Sequence, residues 1–138
     1  MSDLRINFLA VIVAALVAFV GSSVWYVVFG NELAKVSPVF AELQAQKPEA
    51  WRILAVFAGS LVLSFVVAYV IGLKEDVTWM DAVGIGCLLW LGLSAVQWVS
   101  SIVWEKVPLT MAAIHSGDWL MKLVVISAIV GAWRSYRS

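Results

Sequence analysis

The chain has 138 residues, of which 63% are hydrophobic and 13% are charged, and nine basic residues balance nine acidic ones. This composition lies far from that of soluble domains and indicates a protein whose solvent is lipid. A net charge of zero provides no basic surface for nucleic acid, and a single cysteine, Cys87, excludes an internal disulfide and a cysteine-rich metal site.

Four apolar stretches are long enough to cross a bilayer. A hydrocarbon core about 30 Å thick requires about 20 apolar residues in a helix, and the stretches cover residues 6–29, 51–73, 82–104 and 109–133. Helices are expected because backbone polar groups in lipid must pair with one another, and the alternating pattern of a β-barrel is absent. The sequence therefore predicts an all-α integral membrane protein with one four-span domain, in contact with the lipid bilayer.

Small residues recur every four positions in the first two stretches. The series are Ala14, Ala18 and Ser22 in the first stretch, and Ser60, Ser64, Ala68 and Gly72 in the second. Small side chains at this spacing let helix backbones approach closely in lipid. Two interpretations stay open: packing within one four-helix bundle, or a homo-oligomer formed through these faces.

The connection of residues 30–50 is the only long one. It contains Ser37 and Pro38, which favour the start of a short surface helix. The other two connections are a few residues each, so consecutive spans are expected to pack as antiparallel neighbours in a four-helix transmembrane bundle. Thr78 and Asp81 have the pattern of an N-cap and an acidic first turn at the start of the third span.

Basic residues give one indication of orientation. The Lys and Arg counts tie between the two sides of the membrane. Arg134 and Arg137 lie directly beside the last span, which favours a cytoplasmic location for both ends of the chain.

The last span carries three ionisable residues on one face. His115, Asp118 and Lys122 follow at spacings of three and four, which place them within about 60° of arc on a helix. Ionisable groups at membrane depth are costly and by default indicate a functional site. Asp118 and Lys122 also stand in the acid-before-base order that favours pairing at i,i+4.

The third span has a polar stripe of its own, formed by Ser94, Gln97, Ser101 and Glu105. With a short turn near Val107, antiparallel pairing sets Gln97 near His115 and Asp118. Glu105 then lies at the mouth of the site. The sequence therefore predicts a polar patch between the third and fourth helices.

Two classes of function fit such a patch. In the first, it conducts or transports a proton or small solute, with His115 and Asp118 exchanging protons. In the second, the chain is a non-catalytic scaffold or accessory protein whose polar side chains only hold helices together. One histidine and two carboxylates on two helices are a weak metal pattern, so no metal or cofactor is expected. Because the sequence lacks a Gly-rich phosphate loop, G-x-S-x-G and HExxH, no enzymatic activity is expected.

Three segments carry a family resemblance: INFLAVIVAALVAFVGSSVWYVVFG, LLWLGL followed by VWEKVPL, and IHSGDWLMKLVVISAIVGAW. In this order and spacing they resemble the bacterial membrane proteins grouped as domain of unknown function 1761. Asn7, Gly21, Trp25 and Tyr26 match the pattern found at the start of the family's sequences. Val27 and Val28 replace its usual Ser-Pro, and the Asn-x-Gly-Tyr-His of its last helix reads HSGDW at 115–119. The resemblance implies a four-span fold in a bacterial cytoplasmic membrane, with a polar patch in the last helix and no established activity or cofactor.

Overall fold

The computed structural model describes the backbone of residues 6–137 and the side chains of residues 6–134. All regular elements in this part of the chain are helices. They are α1 (Phe8–Val36), α2 (Pro38–Gln44), α3 (Ala50–Gly72), α4 (Trp79–Leu89), a π-helical segment (Trp90–Ala95), α5 (Val96–Glu105) and α6 (Leu109–Arg137). The side chain of Arg137 lies outside the described residues, and the orientation in the membrane stays a prediction.

Among the described residues, four helical spans are long and apolar enough to cross a membrane. They are α1, α3, the continuous third span Trp79–Glu105 and the Leu109–Arg134 part of α6. Large apolar side chains cover their outer faces; Val27, for example, is 81% exposed and Leu93 is 69% exposed. Apolar surface of this extent is rare on soluble monomers and fits contact with a lipid bilayer. The prediction of an all-α, four-span membrane fold is confirmed.

The first helix is longer than its apolar stretch. It continues beyond the predicted end at residue 29 to Val36, so the predicted loop 30–50 was wrong at its start. The added turns carry Glu32 and Lys35, whose charged groups lie 3.1 Å apart at i,i+3. Such a pair supports a helix in water or at the lipid headgroups. Hydropathy marks the segment buried in lipid, whereas the helix itself ends where Ser37 turns to extended backbone.

Side-chain caps set two of the helix starts. Ser37 Oγ accepts a hydrogen bond of 3.2 Å from the Phe40 amide, and Pro38 begins α2. Thr78 Oγ1 accepts from the Asp81 amide at 3.1 Å, and the Asp81 carboxylate accepts from the Thr78 amide at 3.3 Å. This reciprocal capping box starts the third span at Trp79, ahead of the predicted stretch 82–104.

Small side chains form much of the bundle interior. Both four-residue series are buried, and their members are Ala14, Ala18 and Ser22 on α1, and Ser60, Ser64, Ala68 and Gly72 on α3. The two helices pack against each other within one chain. These small side chains are therefore covered within the chain itself, which supports packing within one bundle, and a homo-oligomer stays a prediction.

The third span packs closely on α6 along only part of its length. At Gly86, a methyl group would come within 2.9 Å of the Leu123 carbonyl oxygen, and at Gly131 within 3.2 Å of the Trp79 Cα. These glycines let the α4 and α6 backbones approach each other directly. After the π-helical segment, α5 makes much less contact with α6. The N-terminal half of α6 is therefore open to packing from α1.

Candidate functional site

The ionisable residues of the last span lie on one face of α6, as their spacing predicts. His115, Asp118 and Lys122 are here called the α6 cluster. Asp118 lies about 14 Å along the helix axis from Leu109, at 1.5 Å per residue, which is near the middle of a bilayer about 30 Å thick. Asp118 is only 2% exposed, and the Lys122 side chain is 15% exposed. The structure thus brings together charged groups at hydrocarbon depth.

The Asp118 carboxylate has a partner on each oxygen. The Ser22 hydroxyl of α1 donates to Asp118 Oδ1 at 2.7 Å. The Lys122 ammonium lies 3.0 Å from Asp118 Oδ2. A buried charge is tolerated when it is both paired and hydrogen-bonded, and both conditions are met here. The carboxylate therefore joins α6 to α1 while its charge is balanced within α6.

A second contact holds the Lys122 ammonium. Its nitrogen lies 4.1 Å from the centre of the Trp119 ring. A cation at this distance over an indole face is attracted by the electron-rich ring, and the attraction increases when water is excluded. Lys122 is therefore held between the Asp118 carboxylate and the Trp119 indole.

His115 connects α6 to two other spans. A hydrogen bond of 2.6 Å joins the Tyr26 hydroxyl of α1 to His115 Nδ1. The Trp98 ring of α5 stacks on the imidazole, with ring centres 5.2 Å apart and planes 14° apart. The imidazole is half-buried. Its position is thus set by a hydroxyl on one side and by an aromatic face from the third span.

Two tryptophans hold the α6 backbone beside the cluster. Trp25 Nε1 donates to the Ile114 carbonyl at 2.9 Å, and Trp90 Nε1 donates to the Ser116 carbonyl at 2.8 Å. Gly117 makes room for the first indole, because a methyl group there would lie 2.5 Å from Trp25 Cζ2. Sequence reasoning did not assign these tryptophans to the site. Of the two, only Trp25 could have been noticed from the sequence, through its match to the opening pattern of the family.

The polar stripe of the third span does not join the α6 cluster. Ser94 is buried, Ser101 is half-buried, and Gln97 and Glu105 are exposed. Among residues 6–134, none of these four side chains hydrogen-bonds to the cluster. The predicted patch between the third and fourth helices was wrong, because α5 makes little contact with α6 and hydroxyls of α1 take its place. The functional roles of the six predicted residues stay predictions.

No group of three or more His, Cys, Asp or Glu side chains among the described residues is arranged to hold a metal ion. The site consists of the half-buried His115, the buried Asp118–Lys122 ion pair and the hydroxyls of Ser22 and Tyr26 from α1. This set of groups can hold helices together and can exchange protons with water that reaches it.

The fold and the site define a multi-pass α-helical membrane protein with a charged pair buried between its first and last spans. The family described as protein of unknown function, DUF1761, matches residues 9–131. The chain therefore belongs to this family, and the resemblance seen in the sequence is confirmed. No curated protein and no solved structure matches the chain.

Proposed function

We propose that the protein is a non-catalytic accessory or scaffold protein of the bacterial cytoplasmic membrane. In this proposal the α6 cluster fixes the arrangement of the helices, and the lipid-facing surface contacts other membrane components. The observation that carries it is the enclosure of Asp118, which is 2% exposed and has a partner on each carboxylate oxygen. The bacterial location rests on the family resemblance, and the cytoplasmic placement of both ends rests on Arg134 and Arg137.

Enclosure favours a structural role over a proton path. A residue that carries protons across a membrane has to exchange them with water on both faces, directly or through a chain of exchangeable groups. Asp118 is bonded to Ser22 and to Lys122, so transfer through it requires these bonds to open. Removal of one partner leaves an uncompensated buried charge, at a cost of about 3–5 kcal/mol. The closed arrangement is therefore the stable one, and it keeps α1 and α6 in a single register.

Dissipation of a pH gradient in proteoliposomes tests this proposal. Wild type and Asp118→Asn are reconstituted at equal density after each is shown to be folded. We expect proton flux equal to that of empty liposomes for both proteins, because the carboxylate is enclosed. Wild-type flux that Asp118→Asn loses would contradict the accessory role and would favour a path through the α6 cluster.

A second candidate is conduction or transport of a proton or small solute. It is supported by the alternation of His115 and Asp118 with the α1 hydroxyls of Tyr26 and Ser22, at 2.6 and 2.7 Å respectively. Exchangeable groups in such a row at membrane depth occur in proton relays. In this candidate Gln97, Ser101 and Glu105 are not members of the row, since none of their side chains hydrogen-bonds to the α6 cluster among the described residues.

The two candidates differ in the effect of His115→Gln. In a relay, His115→Gln and Asp118→Asn both lower proton flux, whereas Ser100→Ala, an exposed position on α5, leaves it unchanged. In an accessory protein all three variants give the flux of empty liposomes. The three variants and wild type are compared in the same pH-gradient assay.

A further inference from the structure

One amide side chain of the third span faces outward from the bundle without a partner. Gln97 is exposed, and its side chain has no hydrogen bond among residues 6–134. Toward α3 it borders a cleft lined mainly by leucine and valine side chains, which offer nothing to bond. In contrast, the Asp118 carboxylate and the indoles of Trp25 and Trp90 all have partners inside the bundle. The Gln97 amide is thus left unsatisfied by the chain itself.

The depth of Gln97 makes a free amide costly. The third span, Trp79–Glu105, has 27 residues and is about 39 Å long, whereas the hydrocarbon core is about 30 Å thick. With equal overhang at both ends, Gln97 lies about 7 Å inside the boundary nearer to Glu105. Acyl chains at this depth neither donate nor accept hydrogen bonds, so they cannot satisfy the amide. The free amide therefore indicates contact with another molecule in the membrane.

Gln97 belongs to an outward face of α5 that is suited to helix contact. Gln97, Ser100 and Trp104 follow at spacings of three and four, which place them within about 60° of arc, and all three are exposed. This is the spacing at which helices pack along a common seam. Ser100 is small, so the backbone of a neighbouring helix can come close beside the Gln97 amide. These three residues are here called the α5 face.

We propose that two copies of the chain associate through the α5 face. Copies inserted in one orientation are related by a two-fold axis along the membrane normal, so each residue near the axis meets its own equivalent. Such a contact requires groups that complement themselves. The Gln97 amide does so, because its carbonyl accepts and its NH₂ donates, and two copies form a reciprocal pair of hydrogen bonds. The Ser100 hydroxyl likewise donates and accepts.

Symmetry is the reason for choosing a second copy as the partner. An unrelated membrane protein need not carry a polar group at the depth of Gln97, whereas a second copy always presents the same amide at the same depth. A carboxylate or ammonium in this position would meet its own charge, and the α5 face has neither. This inference goes beyond the proposed accessory role, because it assigns the chain a partner and a contact surface.

Disulfide cross-linking in membranes tests the location of the contact. The natural cysteine is first removed by Cys87→Ser. In that background Ser100→Cys places a thiol beside the two-fold axis, and oxidation with copper phenanthroline is expected to give covalent dimers. Val99→Cys is the matched control, because Val99 is 59% exposed at the same depth but lies about 100° around the helix from Ser100. Equal cross-linking of the two variants, or none in either, overturns the inference.

Sedimentation equilibrium in density-matched detergent micelles measures the strength of the contact. We expect wild type to show a monomer–dimer equilibrium. Gln97→Leu raises the dissociation constant about tenfold, the effect expected for loss of two hydrogen bonds between membrane helices. Val99→Leu, outside the α5 face, leaves the constant unchanged. Circular dichroism shows that each variant is folded.

Two results of this measurement overturn the inference. One is a monomer at every ratio of protein to detergent, and the other is an equal dissociation constant for wild type and Gln97→Leu. Loss of the fold does not account for a weaker dimer in Gln97→Leu, because the amide has no partner within the chain. Proton flux is measured separately, so failure of this inference is distinguishable from failure of the accessory role.

Discussion

Substitution of Gly86 by alanine measures how closely α4 and α6 pack. The added methyl group would lie 2.9 Å from the Leu123 carbonyl oxygen and 3.1 Å from Ser127 Cβ. Ordinary contacts of a methyl group start at about 3.4 Å or more. The methyl group would also meet the Ser127 hydroxyl, which can rotate away. The Leu123 oxygen belongs to the α6 backbone, so no side-chain rotation relieves that contact, and the two helices must separate by several tenths of an ångström.

The expected loss follows from two opposing effects. Overpacking of a closely packed core costs about 1–3 kcal/mol. Alanine in place of glycine in a helix interior gains up to about 1 kcal/mol in water. We therefore expect Gly86→Ala to lower the free energy of unfolding by about 0–2 kcal/mol relative to wild type, and by about 1–3 kcal/mol relative to a glycine-to-alanine change at an uncrowded position. The matched control is Gly84→Ala, because a methyl group at Gly84 meets no atom within 4 Å.

The measurement is reversible unfolding in mixed detergent micelles, with helix content followed by circular dichroism. Gly84→Ala is expected to be as stable as wild type or slightly more stable. If Gly86→Ala is as stable as Gly84→Ala, the α4 and α6 backbones are not in direct contact at Gly86.

Two further predictions use the same unfolding assay. Trp25→Phe removes the hydrogen bond to the Ile114 carbonyl, so it is expected to lower the free energy of unfolding by about 0.5–1.5 kcal/mol or more. Trp104 is 82% exposed, so Trp104→Phe is expected to change this free energy by less than about 0.5 kcal/mol. Equal effects of the two variants would count against the bond from Trp25. Thr78→Ala removes the hydroxyl that accepts the hydrogen bond from the Asp81 amide, and it is expected to lower the free energy of unfolding by about 0.5–2 kcal/mol. An unchanged unfolding midpoint would show that this cap does not hold the start of the third span.

The spans could be predicted from sequence because the bilayer imposes a length and a composition on any helix that crosses it. Helix ends outside the lipid follow other rules. Glu32 and Lys35 extend α1 as a charged pair, and Thr78 starts the third span through a cap. Hydropathy does not register either feature, and for this reason the predicted boundaries fell short of the helices.

The shared face of the α6 cluster was predictable, because its spacing follows the helical period. Its partners were not. Short connections make neighbours of the third and fourth spans, and the close approach at Gly86 agrees with this. However, the spacing of residues gives no sign of the π-helical segment, after which α5 makes little contact with α6. Ser22 of α1, which the sequence presented as one of a series of small packing residues, is the donor to Asp118.

The small-residue series had two interpretations because close packing within a chain and between chains requires the same side chains. The burial of these side chains supports packing within the chain, and oligomerisation stays a prediction. Similarly, an Asp–Lys pair at i,i+4 on a membrane helix is compatible with transport and with a structural role. The enclosure of Asp118, on which the proposed structural role rests, depends on helices distant in sequence.

A double-mutant cycle on Asp118 and Lys122 tests whether the buried ion pair is a structural element. The free energies of unfolding are measured for wild type, Asp118→Asn, Lys122→Met and the double variant. Each single change is expected to cost about 3–5 kcal/mol, because it leaves the other group buried without its partner. The double variant is expected to be more stable than either single variant, with a large coupling energy. Additive losses, or single variants as stable as wild type, would show that the ion pair does not hold the fold together.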